Sequence, residues 1–286
     1  MKFFSHKHAF SRNIGLITPE ERHILKSKRL AIAGLGGVGG IHLITLVRMG
    51  FTKFNLADFD TFDMANFNRQ TGSGMDTIGE KKLDCLINLA LKINPDLEIN
   101  AFSSGVNENN MESFLENVDL YVDGLDIFVQ DIRKTVYETC YDQKIPVITA
   151  GPFGLGAAFI CFLPGKTRFS DYFDWNEKDP LTLKVLKFAM GLAPKAAHIK
   201  HIVDMNAVDL DNKKVPSSCA SCHACSAFIG AEALKILLQR GTIKPAPWTR
   251  QLDLYGNRLV HCYNFLGMKN PFNKLKLLYL RHKYKL

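Results

Sequence analysis

An α/β fold is predicted, with a mainly parallel sheet covered by helices on both faces and extended by antiparallel strands and a crossover segment. Three observations predict it. Leu30-Ala31-Ile32-Ala33 is an unbroken apolar run, the pattern of a strand buried on both faces. It leads into the turn Gly34-Leu35-Gly36-Gly37-Val38-Gly39, after which Ile41, Ile44, Leu46 and Val47 recur at helical spacing to Met49. Strand-like segments at Lys53–Ala57 and Leu120–Val122 then alternate with helical ones at Glu80–Ile93 and Phe128–Tyr141, the order of a parallel sheet. With 286 residues, 47% of them hydrophobic, the chain can bury one large core and a smaller appendage.

Each part of the turn has a physical use. Gly34 permits the tight bend, Gly36 and Gly37 let backbone approach a phosphate, and Gly39 lets the helix pack closely on the strand. Free amides at the helix start face the anion. The second strand ends at Asp58, 24 residues after Gly34, where a ribose-binding acid belongs. To this point a dinucleotide oxidoreductase fits equally well. A polar loop follows instead of another helix, running from Asp60 to Gly79 and holding Asn66-Phe67-Asn68-Arg69-Gln70. The next helix buries Leu83, Leu86, Ile87, Ala90 and Leu91, leaving Lys82 near its start, off the apolar face and within reach of the glycine turn. Arg69 and Lys82 supply positive charge to a triphosphate and a departing pyrophosphate, a purpose that nicotinamide chemistry lacks. Another central strand ends in Asp123-Gly124-Leu125-Asp126. Carboxylates at such strand ends sit where open sheets bind ligands, so Asp126 is either a magnesium ligand or a cap for the helix after it.

Together these motifs resemble the ThiF/MoeB/HesA family, the ubiquitin-activating-enzyme-like adenylyltransferases, over Phe10 to Gly241. The family's glycine turn stands here as Gly34 to Gly39, its acid pair as Asp58 and Asp60, and its asparagine-arginine-glutamine loop as Asn66 to Gln70. Its lysine helix start stands as Gly79 to Lys82 and its metal aspartate motif as Asp123 to Asp126. The resemblance implies a Rossmann-like, cytoplasmic homodimer that uses ATP and magnesium to adenylate a carboxylate. Asp58 then holds the ribose, Asn68 is the preferred amide contact with Gln70 close behind, Asp126 orients magnesium, and Arg69 and Lys82 stabilise the transferred phosphate. Phe10-Ser11-Arg12-Asn13 resembles the family's N-terminal arm, which makes Arg12 the arginine that reaches a partner's ATP. The implied substrate is the C-terminal glycine of a small ubiquitin-like or sulfur-carrier protein. A peptide or tRNA-linked carboxylate is the alternative, as is an inactive dimeric scaffold of the same fold. Family zinc knuckles are replaced by Phe169–Trp175 and by Cys262 alone, so a structural zinc is not expected, and Ile127 stands where a polar residue is common.

Five stretches follow: an arm at 1–27, a nucleotide-binding half at 28–168, a crossover and acceptor segment at 169–218, a helix and hairpin completing the same domain at 219–267, and a basic tail at 268–286. In the crossover, helical stretches are expected at Leu181–Met190 and Pro194–His201, with His198 and His201 as helix-face histidines rather than a metal or base pair. Cys219, Cys222 and Cys225, with His223 among them, precede an expected helix at Ala227–Gln239. Small apolar packing, a reactive thiol near the helix start and metal ligation all remain open for them. No cysteine lies between Asp174 and Pro216, which favours adenylation over thioester formation. Strands at Arg250–Tyr255 and Arg258–Tyr263 joined at Gly256-Asn257 make a hairpin.

The uncharged stretch 145–165 is long enough to span a bilayer, but its prolines and glycines break such a helix, so two buried strands joined by a glycine turn are expected. Seven cysteines and an N-terminus without a signal-peptide core place the chain in a reducing cytoplasm with no membrane role. The net charge of +8 is concentrated in the tail, where Lys269, Lys274, Lys276, Arg281, Lys283 and Lys285 occur without an acid. The tail reads as a helix docked by its apolar residues with a basic outer face, a tRNA or acidic partner being the sharper alternative.

Overall fold

A computed structural model describes residues 3–284, with side chains through residue 282. Met1, Lys2 and Lys285, and the side chains of Lys283 and Tyr284, which figure in the reading of the termini, lie outside the described residues. The chain divides into two compact units, Met1–Leu125 with Ser226–Ile243, and Asp126–Cys225 with Lys244–Leu286.

The first unit opens with α1 (His6–Ala9) and a 3-10 turn at Ser11–Asn13, tied down where His6 Nε2 meets Gly50 O at 3.0 Å and Asn13 Nδ2 donates to Arg48 O at 3.0 Å. α2 (Pro19–Ser27) starts with a reciprocal cap between Thr18 and Glu21, with Pro19 preset for the first turn. There follow β1 (Arg29–Ala33), α3 (Gly39–Arg48), β2 (Lys53–Ala57), α4 (Lys82–Ile93), β3 (Glu98–Phe102), α5 (Met111–Leu115) and β4 (Leu120–Asp123). The strands lie in the order β3-β2-β1-β4, all parallel. Every residue of β1 and β4 is buried, which is why those segments are apolar without alternation. Register decides where ligands can bind: Ala33 is level with both Ala57 and Asp123, so β1, β2 and β4 finish on one edge.

In the second unit, α6 (Gln130–Asp142) precedes an antiparallel pair, β5 (Val147–Pro152) and β6 (Gly156–Phe162). This is the expected pair of buried strands. Then come α7 (Phe169–Tyr172), α8 (Leu181–Leu192), α9 (Cys219–Leu237), of which the part to Cys225 belongs to this unit and the part from Ser226 to the first, β7 (Trp248–Asp253), β8 (Arg258–Tyr263) and α10 (Pro271–Tyr284). The strands run β5-β6-β7-β8, antiparallel throughout. Phe162, Phe169, Tyr172, Phe173 and Phe188 form an aromatic cluster with ring centroids 4.6 to 6.4 Å apart. Tyr172 Oη donates to Gly191 O at 2.7 Å and accepts from Asn264 Nδ2 at 3.0 Å, and burial pushes its phenol up. Among the described residues no helix is long and apolar enough to cross a membrane.

Four expectations are corrected. Pro194–His201 forms only a 3-10 turn at Ile199–His201, because Ala196 takes a left-handed conformation (φ 45°) that ends any helix. His198 and His201 are therefore not helix-face residues: Gln251 Nε2 lies 2.9 Å from His198 Nδ1, and His201 Nε2 lies 3.1 Å from Asp253 Oδ2, both on β7. The cysteines do not precede a helix but occupy the first two turns of α9. Finally, α10 docks through Asn273 and Leu277, while Phe272, Leu275, Leu278 and Tyr279 face outward. Asn273 Nδ2 donates to Asn264 Oδ1 at 2.7 Å and Gly267 O at 2.8 Å, so a polar anchor chooses the inner face.

Candidate functional site

The level strand ends of the first unit bring the glycine turn, Asp58 and Asp123 to one edge. Gly34 has φ +80°, and a Cβ there would meet Gly124 O at 2.5 Å. A Cβ on Gly39 would overlap Gly34 O, so these two positions let turn and helix close up on each other. Gly36, Gly37 and Val38 are partly open to solvent, the place where an anion could meet the start of α3.

Asp58 is built into this turn. It is buried, its Oδ2 accepts from Leu35 N at 2.6 Å and its Oδ1 from Asp60 N at 2.8 Å. Burial pushes its carboxyl up, against the pull of those amides and of Lys82. The first duty of Asp58 is thus to brace the turn, and a ribose hydroxyl would share a carboxylate already in use.

Lys82, off the apolar face of its helix, is nevertheless buried. Its side chain is 8% exposed, and its Nζ donates to Asp60 Oδ2 at 3.1 Å while its backbone N donates to Asp60 O at 3.0 Å. The helix begins at Lys82 rather than Glu80, after Lys81 in extended conformation. Hydrogen bonds therefore run unbroken from the Leu35 amide through Asp58 and Asp60 to the Lys82 ammonium.

The loop distributes its residues differently from expectation. Asn66 is structural: its Oδ1 accepts from Asp63 N and its carbonyl from the amides of Arg69 and Gln70. Arg69 folds onto the loop itself, its guanidinium donating to Ala65 O at 3.0 Å and Asn68 Oδ1 at 2.8 Å. Asn68 is exposed, whereas Gln70 is buried with its Nε2 3.8 Å from where a Cβ on Gly36 would stand. Its Oε1 has no partner among the described residues. Of the two amides, Gln70 is the one aimed at the turn, because in an irregular loop no periodicity tells which side chain points inward. A buried unpaired oxygen is a place for a donor from outside the chain. Arg12 is exposed on the 3-10 turn of the arm.

Asp126, in the second unit, is exposed. Its Oδ1 accepts from Phe128 N at 2.9 Å, and its carbonyl accepts from Val129 N and from Arg133 at 3.1 Å. Arg133 escaped the sequence reading; it is 2% exposed and lies 4.5 Å over the Phe188 ring, and its only sequence signal is its place seven residues after Asp126. Among the described residues no group of three His, Cys, Asp or Glu could hold a metal. A magnesium ion, which takes one or two carboxylates and otherwise phosphate oxygens and water, fits such a lone acid.

The three thiols separate sharply. Cys222 and Cys225 are fully buried, and burial pushes the Cys225 thiol up. Cys219 is exposed, with its Sγ 3.4 Å from His223 Nδ1.

A family model described as ThiF family matches residues 10–272. A tRNA threonylcarbamoyladenosine dehydratase of Bacillus subtilis is 32% identical over 152 residues, 53% of this chain and 58% of that protein. A molybdopterin-synthase adenylyltransferase of Salmonella typhimurium is 29% identical over 130 residues, 46% of this chain and 51% of that protein. The chain spans about half the length of the curated relatives it matches. The crystal structure of E. coli MccB with ATP has a TM-score of 0.66 at 20% identity, covering 89% of this chain and 70% of that one, and shows the shared fold.

Proposed function

The chain belongs to the ThiF family, and from that premise we propose that it is an ATP-dependent adenylyltransferase that activates a carboxylate. The observation that carries this reading is the hydrogen-bonded line from Leu35 through Asp58 and Asp60 to Lys82. It holds a lysine out of solvent and in fixed relation to a phosphate-binding turn, an arrangement that phosphoryl chemistry uses and hydride transfer does not.

In the reaction a carboxylate oxygen of the acceptor bonds to the α-phosphorus of ATP, the bond to the bridging oxygen breaks, and pyrophosphate leaves with that electron pair. The product is an acyl adenylate. The amides of Gly36, Gly37 and Val38 would hold phosphate oxygens, and Lys82 would share its charge between Asp60 and the departing pyrophosphate. Gln70 Oε1 would accept from a nucleotide hydroxyl or amine. Arg69 would have to leave its loop carbonyl to join them. Asp126 would hold magnesium, whose charge would neutralise the phosphates. Orientation supplies the remaining rate, since the step needs no protein nucleophile.

The acceptor we infer is the C-terminal glycine of a ubiquitin-like or sulfur-carrier protein, with a homodimer placing Arg12 in trans. The name of the Bacillus subtilis relative also supports a tRNA-linked acceptor. ATP–pyrophosphate exchange with a panel of carboxylates tests the reading: exchange that depends on one of them supports it, and tight NADH binding without ATP binding sinks it. A folded chain that binds ATP without exchange would instead be the inactive scaffold.

A further inference from the structure

α10 presents two faces of opposite use. The face toward the body is narrow and partly polar, with Asn273 and Leu277 buried and Asn273 bonded to Asn264 and Gly267. The face toward solvent is mainly apolar, with exposed His282 inside it at the last turn: Phe272 is 76% exposed, Leu275 66%, Leu278 58% and Tyr279 63%. At 3.6 residues per turn these four side chains fall within an arc of about 120°. Lys276 borders that arc on one side, and Lys274 and Arg281 border it on the other, all three exposed. The turn that leads into the helix adds exposed Phe265 and Leu266, the latter in a left-handed conformation at φ 60°.

A helix that needed only to pack on its own domain would turn this arc inward, since exposing four large apolar side chains forfeits their burial. Asn273 prevents the helix from rolling over. We propose that α10 is an interfacial helix that lays Phe272, Leu275, Leu278 and Tyr279 into an anionic lipid surface, with Lys276 and Arg281 at the headgroups.

Charge selects this occupant. The segment 268–286 holds six lysines and arginines and no acid, so a second copy meeting it face to face would bring like charge against like. Two of the cations are already engaged with the body, Lys269 with Asp171 at 2.7 Å and Lys274 with Asp174 at 3.5 Å, which fixes the helix without covering the apolar arc. An outward apolar arc flanked by cations is the geometry of helices that lie in a membrane interface. The helix is too short and too charged to cross one.

Sedimentation of the full chain with phosphatidylcholine vesicles, alone or doped with phosphatidylglycerol, tests this. Binding is expected only to the doped vesicles and should weaken as salt is raised. Phe272→Ser with Leu275→Ser should abolish it without lowering Tm, because both side chains are exposed. Lys276→Glu with Arg281→Glu should weaken it by at least ten-fold, each cation near the surface being worth roughly five-fold. No binding to doped vesicles at low salt, or binding that survives Phe272→Ser with Leu275→Ser, overturns the proposal. So does a dimer in light scattering that the same serine pair dissociates while vesicle binding is absent, since the arc would then belong to a second copy.

Discussion

The Leu35 amide donates to Asp58 Oδ2 at 2.6 Å, joining the glycine turn to the end of the neighbouring strand. Leu35 is fully buried, so its amide has no water to fall back on. Asp58→Ala should cost about 1–3 kcal/mol in urea denaturation, the range for leaving a buried donor unpaired. It should also weaken ATP binding, because the turn loses its brace. An unchanged urea midpoint would show that the turn holds itself.

Lys82→Ala should leave the fold intact, since Asp60 is 54% exposed and can be solvated once its partner is gone. Exchange activity should fall roughly 10²- to 10³-fold, the usual effect of removing one preorganised charge from a transition state. A loss confined to KM for ATP would reduce Lys82 to ground-state binding.

Asp126→Ala should abolish exchange with little change in stability, because the carboxylate is exposed and its bond within the chain is to Phe128 N. Thermal melts and exchange assays on one preparation check both halves. A large loss of stability would make Asp126 a helix-start residue first.

His42 predicts the acid behaviour of the protein. It is fully buried on α3, neither ring nitrogen has a partner among the described residues, and burial pushes its pKa from 6.5 to about 3. The unfolded chain therefore takes up a proton that the folded one refuses between those values. The stability held above about pH 6.5 is lost as pH falls, by about 1.4 kcal/mol per pH unit for this one group. His198, pushed to about 4, adds in the same direction. His42→Leu should raise stability at neutral pH and flatten that slope in denaturation curves; a slope unchanged by the substitution would place the proton uptake elsewhere.

Cys219 should be alkylated by iodoacetamide faster than Cys222 or Cys225, which are fully buried in the native protein. Cys219→Ser should remove that phase in peptide mass mapping. Equal labelling of all three would mean that the start of α9 opens readily.

Much of this was legible in the sequence because its cause is local. Lys53–Ala57 was readable as a strand because nearly all of it is buried, and Gly34 to Gly39 because close approach of backbone excludes other residues. What escaped depends on tertiary choice. Asn68 and Gln70 are both loop amides, and only the fold decides that Gln70 lies against Gly36. α9 runs back through the cysteines because Ser218 Oγ accepts from Ser221 N, a cap hidden in a serine-rich stretch. α10 carries apolar residues around much of its circumference, and Asn273 rather than hydrophobicity settles which face docks.

The turn and Lys82 are proposed to serve nucleotidyl transfer to a carboxylate. Carboxylate-dependent ATP–pyrophosphate exchange tests it most directly. Exchange should require magnesium and a carboxylate acceptor and be lost in Lys82→Ala and Asp126→Ala. Exchange of equal rate in Lys82→Ala, or NADH binding in place of ATP, would contradict it.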